Sequence, residues 1–436
     1  MNLAILNTQQ DRSAAQQRLQ SLRERYAGIL AQGLNLDLTR GKPSSAQLSL
    51  SDSLDGLLAG NFKAADGTDC RNYGGGLGIP EARSLAAAYL GCTAEETLVG
   101  GNSSLQLMYQ CLLYANYFGF SGADSWQQEA SREKIKFLCP VPGYDRHFAV
   151  CEALGIDMIP ITMDADGPDM DKVESLVKAD PLIKGIWCVP CYSNPGGIVY
   201  SDAVVERIAR LGAIAGKNFL VMWDNAYAVH HLTDNPPPLA NILALARQHR
   251  TLDSVIAIGS TSKITWAGAG IAFIASSGRN IQGLLAHLAF SSIGPDKINQ
   301  LRHVKYLGDL DNIARLMKEH RAILKPKFDL VLDLLDKELG GRQLNGEDFG
   351  RWTRPQGGYF ILFDTQPGLA DKVVKLCGAA GVKLTPAGST WPYGKDPHNS
   401  NIRLAPSFPQ LAEIEGAMLV FTVCVEIATL ERALEN

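Results

Sequence analysis

The chain has 436 residues, and its 41 basic and 45 acidic side chains leave a formal charge of −4. That balance offers no track for nucleic-acid phosphates and no attraction to an anionic membrane surface. With 46% hydrophobic and 20% charged residues, the composition excludes a disordered chain and predicts a sizeable core, in two or three folding units at roughly 150 residues each.

The N-terminus, Met1-Asn-Leu-Ala-Ile-Leu6, carries no basic residue before its apolar patch, so it does not read as a secretion signal. Residues 13–31 follow as a predicted helix with Leu19, Leu22, Tyr26, Ile29 and Leu30 on one face and Gly33 as its stop. An irregular segment, 36–43, comes next. From about residue 95 to 280 short apolar runs (135–139, 156–161, 185–189, 219–223, 254–258 and 270–275) alternate with helical stretches such as 203–215 and 239–250. Strands of that length separated by helices predict a mostly parallel sheet covered on both faces. A long amphipathic stretch, about 299–339, leads to a C-terminal region with strand signals at 359–363, 382–385 and 401–404. The apolar run 417–425 is far short of the roughly 20 residues that span a membrane. The expected plan is an α/β fold: a large domain over 56–315 with a mostly parallel, seven-stranded sheet sandwiched by helices, and a small α+β domain from 1–55 and 316–436.

The nine cysteines form no tight framework and read as reduced thiols, which together with the missing export signal predicts a cytoplasmic protein. Cys188-Val-Pro-Cys191 has redox or zinc-site spacing, but no second pair exists, so packing explains it better. Adjacent His230 and His231 lack metal-site spacing and read as loop residues. No metal is expected.

Open α/β sheets bind ligands beyond the carboxyl ends of their strands. The run 185–189 leads into Pro190-Cys-Tyr-Ser-Asn-Pro-Gly-Gly197, the run 219–223 into Asp224-Asn-Ala-Tyr227, and the run 254–258 into Gly259-Ser-Thr-Ser-Lys263. An amide, a carboxylate and an amine are thus brought to one sheet edge. The set suits pyridoxal 5′-phosphate. A lysine forms a Schiff base with its aldehyde, and a carboxylate keeps its ring nitrogen protonated so that the ring accepts electrons. Asn194 and Tyr227 are candidate donors to its phenolate oxygen. Its phosphate asks for hydroxyls and amides at a helix start, as Gly100-Gly-Asn-Ser-Ser104 supplies before the helical pattern 105–117, with Ser260 and Ser262 flanking the lysine.

On the stretches Tyr73-Gly-Gly-Gly-Leu-Gly-Ile-Pro-Glu-Ala-Arg83, Gly101-Asn-Ser-Ser104, Ser193-Asn-Pro-Gly-Gly197, Asp224-Asn-Ala-Tyr227, Ser260-Thr-Ser-Lys263 and Asn401-Ile-Arg-Leu-Ala-Pro406, nearly the whole chain resembles the class I/II, fold-type I aminotransferases, in particular the bacterial aspartate aminotransferase-like branch. The resemblance implies that Lys263 carries the Schiff base and shuttles the proton. It implies that Asp224 pairs with the ring nitrogen, that Asn194 and Tyr227 bond the phenolate oxygen, and that Tyr144 stacks on the ring. Ser103, Ser104, Ser260 and Ser262 would hold the phosphate, with Tyr73 reaching from a second subunit of a homodimer. Arg403 would clamp the substrate α-carboxylate, and Asn194 and Gly41 would line the same place. The implied reaction is a ping-pong transfer of an amino group between an amino acid, aspartate or glutamate, and a 2-oxo acid.

One position departs from the family pattern. An arginine usually follows the lysine by about eight residues and neutralises the phosphate; Ile271 stands there, and no basic residue occurs between Lys263 and Arg279. Arg40, Lys42 or Lys395 are the available cations for a substrate's distal carboxylate. Other readings are another pyridoxal-phosphate lyase of amino acids, since the Lys–Asp–Asn set serves all of them, and a cofactor-sensing regulator without its DNA-binding domain. A penicillin-interacting serine enzyme is excluded: its motif order is reversed here and its later Lys-Thr-Gly is missing.

Overall fold

The computed structural model describes residues 9–120, 123–131 and 133–435. They divide into two compact units. One comprises Ser45–Ser193 and Ile198–Arg321; the other takes the described residues up to Ser44, Asn194–Gly197, and those from Ala322 onward.

The first unit is built on one sheet of eight strands: β1 (Thr97–Val99), β2 (Lys136–Val141), β3 (Asp157–Asp164), β4 (Gly167–Pro168), β5 (Ile183–Cys188), β6 (Leu220–Asp224), β7 (Val255–Ser260) and β8 (Ala272–Ala275). Their order is β1-β8-β7-β6-β5-β2-β3-β4. The pairs from β3 through β2, β5 and β6 to β7 are parallel. β8 is antiparallel to β1 and β7, and β4 to β3. Six of the eight coincide with the apolar runs of the sequence; β1 and β4, three and two residues long, are too short to leave a periodic signal, and the sheet has eight strands where seven are expected. Every residue of β5, β6 and β7 is buried, because helices cover both faces. Ile186, Val221, Trp223, Ala257 and Phe273 of the strands pack with Val205, Ile208 and Leu211 of the helix Asp202–Ile214. The in-register pairs Cys188↔Trp223 and Asp224↔Ile258 bring three carboxyl ends to one edge.

Three helices of this unit bear on that edge: α1 (Ser104–Tyr117), α2 (Asp145–Ala153) and α3 (Lys297–Leu307). The amphipathic stretch read over about 299–339 is made of two helices, α3 and Leu310–Leu339. Gly308, at φ +64°, parts them in a conformation that a side chain disfavours.

In the second unit three antiparallel strands, β9 (Gly350–Trp352), β10 (Ile361–Thr365) and β11 (Asn401–Leu404), lie in the order β9-β10-β11. Leu36–Asp37 pairs in parallel with Val382–Lys383. The N-terminal helix Gln9–Leu30 buries Ala15, Leu19, Leu22 and Ile29, whereas Leu30, expected on that face, is exposed. This helix packs on the apolar C-terminal helix Leu411–Glu435, where the buried Glu426 takes Arg18 at 2.9 Å and Arg342 at 2.8 Å. No helix among the described residues is long and apolar enough to cross a membrane.

Candidate active site

The apolar strand β6 closes on the buried carboxylate of Asp224. Its Oδ2 accepts the Nε2–H of His147 at 3.1 Å and its Oδ1 the amide of Ala226 at 3.1 Å. His147 stands on α2 with its ring stacked on Trp187, centroids 4.1 Å apart and planes 6° from parallel. Tyr144, at the start of α2, meets the same imidazole edge-on at 5.0 Å. Both oxygens of the carboxylate are therefore fixed, and the imidazole that fixes one is itself held by an indole.

One strand over, β7 ends at Ser260 and the chain makes a single helical turn in which the amides of Ile264 and Thr265 bond the Thr261 carbonyl at 2.8 Å each. Lys263 stands in this turn. Its Nζ lies 4.7 Å from the centroid of the buried Tyr227 ring. Among the described residues the amine has no hydrogen-bond or ion-pair partner. Burial pushes its pKa below the ordinary lysine range, and the Asp224 carboxylate opposes that shift.

The four serines are gathered at the same edge. Ser103 caps α1, accepting the Gln106 amide at 3.2 Å, and Ser104 opens the helix. Ser262 donates to the Asn102 carbonyl at 3.1 Å, and the Asn102 side chain donates to the Gly268 carbonyl at 2.9 Å, so the loops carrying Ser103 and Lys263 are tied together. Ser260 is buried at the end of β7. Ile271 lies in the large apolar core, where an arginine would strand its charge. Tyr73, 82% exposed, sits in a loop clamped by Lys297, whose Nζ donates to the carbonyls of Asn72 and Gly74 at 2.8 and 2.7 Å.

The second unit gathers the remaining candidates by itself. The buried Arg403 of β11 donates to Asn194 Oδ1 and to Thr385 Oγ, each at 3.3 Å, with its guanidinium 4.9 Å from the Phe360 ring. Thr385 passes its own proton to the Thr39 carbonyl at 2.9 Å. Gly41 runs so close to Phe360 that a Cβ there would collide with the ring. Arg40, Lys42 and Lys395 are exposed, with the Lys42 amine 3.8 Å over the Phe408 ring.

Four contributors escaped the sequence reading. His147 had a usable signal, since Tyr144-Asp-Arg-His147 places it one helical turn after Tyr144. Thr385 and Phe360 had none, because their value lies in meeting Arg403 from distant segments, each near the end of a strand. His230, read as a loop residue, does lie in a loop, but it is buried and donates to the Lys263 carbonyl at 3.2 Å. Cys188 and Cys191 are buried free thiols, with Cys191 pushed up to about 12 by burial.

A mostly parallel sheet whose adjacent strand ends carry an aspartate and a lysine, with a serine-rich helix start beside them, defines a fold-type I aminotransferase. The family model described as aspartate amino-transferase matches residues 10–436, and the chain belongs to that family; it is a transaminase. It is 44% identical over 415 residues to an aspartate aminotransferase of Corynebacterium glutamicum, covering 94% of each chain. The crystal structure of an aspartate transaminase from the same species superposes with a TM-score of 0.91 at 43% identity over 97% of each chain. An α-aminoadipate aminotransferase of Thermus thermophilus, solved with a phosphopyridoxyl-leucine compound, shares the fold at TM-score 0.72 and 19% identity, over 93% of this chain and 95% of its own.

Proposed function

We propose that this transaminase uses pyridoxal 5′-phosphate to move an amino group between aspartate or glutamate and a 2-oxo acid, and that it works in the cytoplasm as a homodimer. The observation that carries the reading is the pair of neighbouring strand ends: on β6 a carboxylate immobilised by His147, and beyond β7 a buried lysine amine 4.7 Å from the centroid of the Tyr227 ring, with a depressed pKa. That donor set fits the cofactor. Asp224 would face its ring nitrogen, Lys263 its aldehyde and Tyr144 its ring; Asn194 and Tyr227 would serve its phenolate oxygen, and Ser103, Ser104, Ser260 and Ser262 its phosphate.

When bound, the cofactor supplies an aldehyde that condenses with amines and a ring that withdraws electrons from the amino acid's α-carbon. The residues do the rest. His147 holds Asp224 in one orientation, so that the carboxylate keeps its charge aimed at a fixed point. Lys263 Nζ, its proton affinity lowered by burial, takes the α-proton from the substrate. Arg403 presents two N–H groups of a planar fork, a geometry that suits the substrate α-carboxylate and that lysine cannot copy. Gly41 keeps the backbone against Phe360, under that guanidinium. Aspartate as one substrate is supported by the name of the C. glutamicum relative, an aspartate aminotransferase.

The dimer is supported by an apolar surface next to the glycine loop. Phe290 and Ile293 are 92% and 68% exposed, and Gly294 abuts the Gly74 carbonyl, beside Tyr73. A groove of about 410 Å³ runs from Ile293 and Gly294 to Gly100 and Gly101, just ahead of Ser103. A second copy seated there would meet the phosphate-side loop.

The test is to add amino acids singly to the yellow holoenzyme. Aspartate and glutamate are expected to bleach the visible band fastest, and Lys263→Ala to abolish both the band and turnover. Failure of both amino acids to bleach it would overturn the substrate reading; a fully active Lys263→Ala would overturn the site.

A further inference from the structure

A single turn of helix leaves its last carbonyls with no downstream amide to accept from, and buried carbonyls need donors. The turn 261–265 carries Lys263 and faces this problem in the interior. Three histidines serve its three successive residues. His230 donates Nε2–H to the Lys263 carbonyl at 3.2 Å, and His320 donates Nε2–H to the Ile264 carbonyl at 2.9 Å. His303 Nε2 accepts the Thr265 hydroxyl at 3.0 Å. They come from the loop after Tyr227, from Leu310–Leu339 and from α3, and all three are buried. Two tautomers are set by further partners: Gln47 donates its amide to His320 Nδ1 at 3.2 Å, and His303 gives Nδ1–H to the Asn299 carbonyl at 2.8 Å.

The choice of residue has a physical reason. A lysine or arginine donor would fix a permanent positive charge beside the Lys263 amine, and water would leave the turn free to shift. A neutral imidazole gives a rigid, directional N–H without charge. Burial keeps these rings neutral, with His230 and His303 pushed down to about 3 and about 4.

We propose, building on the reading of Lys263 as the cofactor lysine, that His230, His303 and His320 are positioning residues: a cradle that fixes the backbone of 263–265 and with it the place of the Lys263 amine against Tyr227 and Asp224.

The test compares His320→Leu with His320→Gln in the holoenzyme, reading the pH midpoint of the cofactor's visible band and the rate of cofactor release. His320→Leu is expected to shift the midpoint by about half a unit or more and to release the cofactor roughly tenfold faster, the size expected for one buried carbonyl left unserved. His320→Gln keeps an N–H donor and is expected to stay near the parent on both. A folded His320→Leu with parental midpoint and release rate would overturn the cradle, as would one that merely melts earlier. Equal shifts in the Leu and Gln variants would overturn it too. Should His320→Leu not fold, Gln47→Leu, which removes the amide donor to His320 Nδ1, is read in the same way, and parental values there overturn the proposal. Borohydride reduction and peptide mass in the parent separate the two readings: a cofactor fixed elsewhere than Lys263 sinks the site assignment, whereas fixation on Lys263 with unmoved variants sinks only the cradle.

Discussion

At Asp224 the chain sets a carboxylate at the end of five buried residues, a place where an ionised group survives only with partners. One partner is the Ala226 amide and the other the imidazole of His147, which a stack on Trp187 at 4.1 Å holds still. The imidazole therefore does for the acid what a wall does for a bracket: it removes the rotation that would spread the carboxylate's charge over several directions. His147→Phe keeps an aromatic ring against Trp187 and removes only the N–H. Turnover should fall roughly tenfold to a hundredfold, with KM for the amino acid moving less than about threefold, because orientation of charge matters in the transition state more than in binding. Steady-state kinetics on the cofactor-saturated variant decide it, and an unchanged kcat would show that Asp224 needs no such support. The same scale shows what a sequence reveals. Asp224 and Lys263 were legible because each follows an apolar run, whereas His230 and His320 were not, because each acts only by meeting a carbonyl far along the chain.

Among the elements, α3 does most to tie the site loops together. Along one helix, Lys297 takes the carbonyls of Asn72 and Gly74, Asn299 that of Gly270 at 2.8 Å, and Gln300 accepts the Ile79 amide at 2.9 Å while donating to Val99 at 3.0 Å. His303 adds Thr265. A helix with this row of buried polar groups merges in sequence with the next into one amphipathic stretch, which does not show the boundary at Gly308. The strands, by contrast, were legible: uniformly apolar runs of five or six residues admit few alternatives to a covered parallel sheet. The buried row also makes the fold acid-sensitive. The His303 pKa, ordinarily 6.5, is pushed down to about 4 by burial. As pH falls through 6.5 the unfolded chain takes up a proton that the folded chain refuses until about 4. Across that window the unfolded state binds more protons, so the stability contribution is whole above pH 6.5 and is lost on acidification, by up to roughly 3 kcal/mol; burial shifts His230 and His320 the same way. Urea denaturation at about pH 7 and about pH 4.5 should show the loss, and His303→Gln, which cannot titrate, should show a smaller one.

For the molecule as a whole, the question is whether one chain suffices. Tyr73, Phe290 and Ile293 are large, apolar or aromatic, and turned outward around a rigid support, since Lys297 pins the loop of Tyr73 and Gly294 touches Gly74. Three such side chains left in water forgo roughly 1.5–3 kcal/mol each, relative to burial. An outward cluster of this kind marks an interaction surface, and its closeness to Gly100 and Gly101 links it to the loop that carries Ser103 and Ser104. If a second copy covers it, association and cofactor retention rise and fall together. Phe290→Asp combined with Ile293→Asp sets two charges in the patch without touching any proposed ligand of the cofactor. Sedimentation should then find a monomer where the parent is a dimer, the apparent affinity for pyridoxal phosphate should weaken by about tenfold or more, and both should recover together as protein concentration is raised. A variant that sediments as a dimer would place the interface elsewhere. A monomer that holds the cofactor as tightly as the parent would mean that each chain builds its phosphate site alone, and Tyr73 would then have no partner to serve.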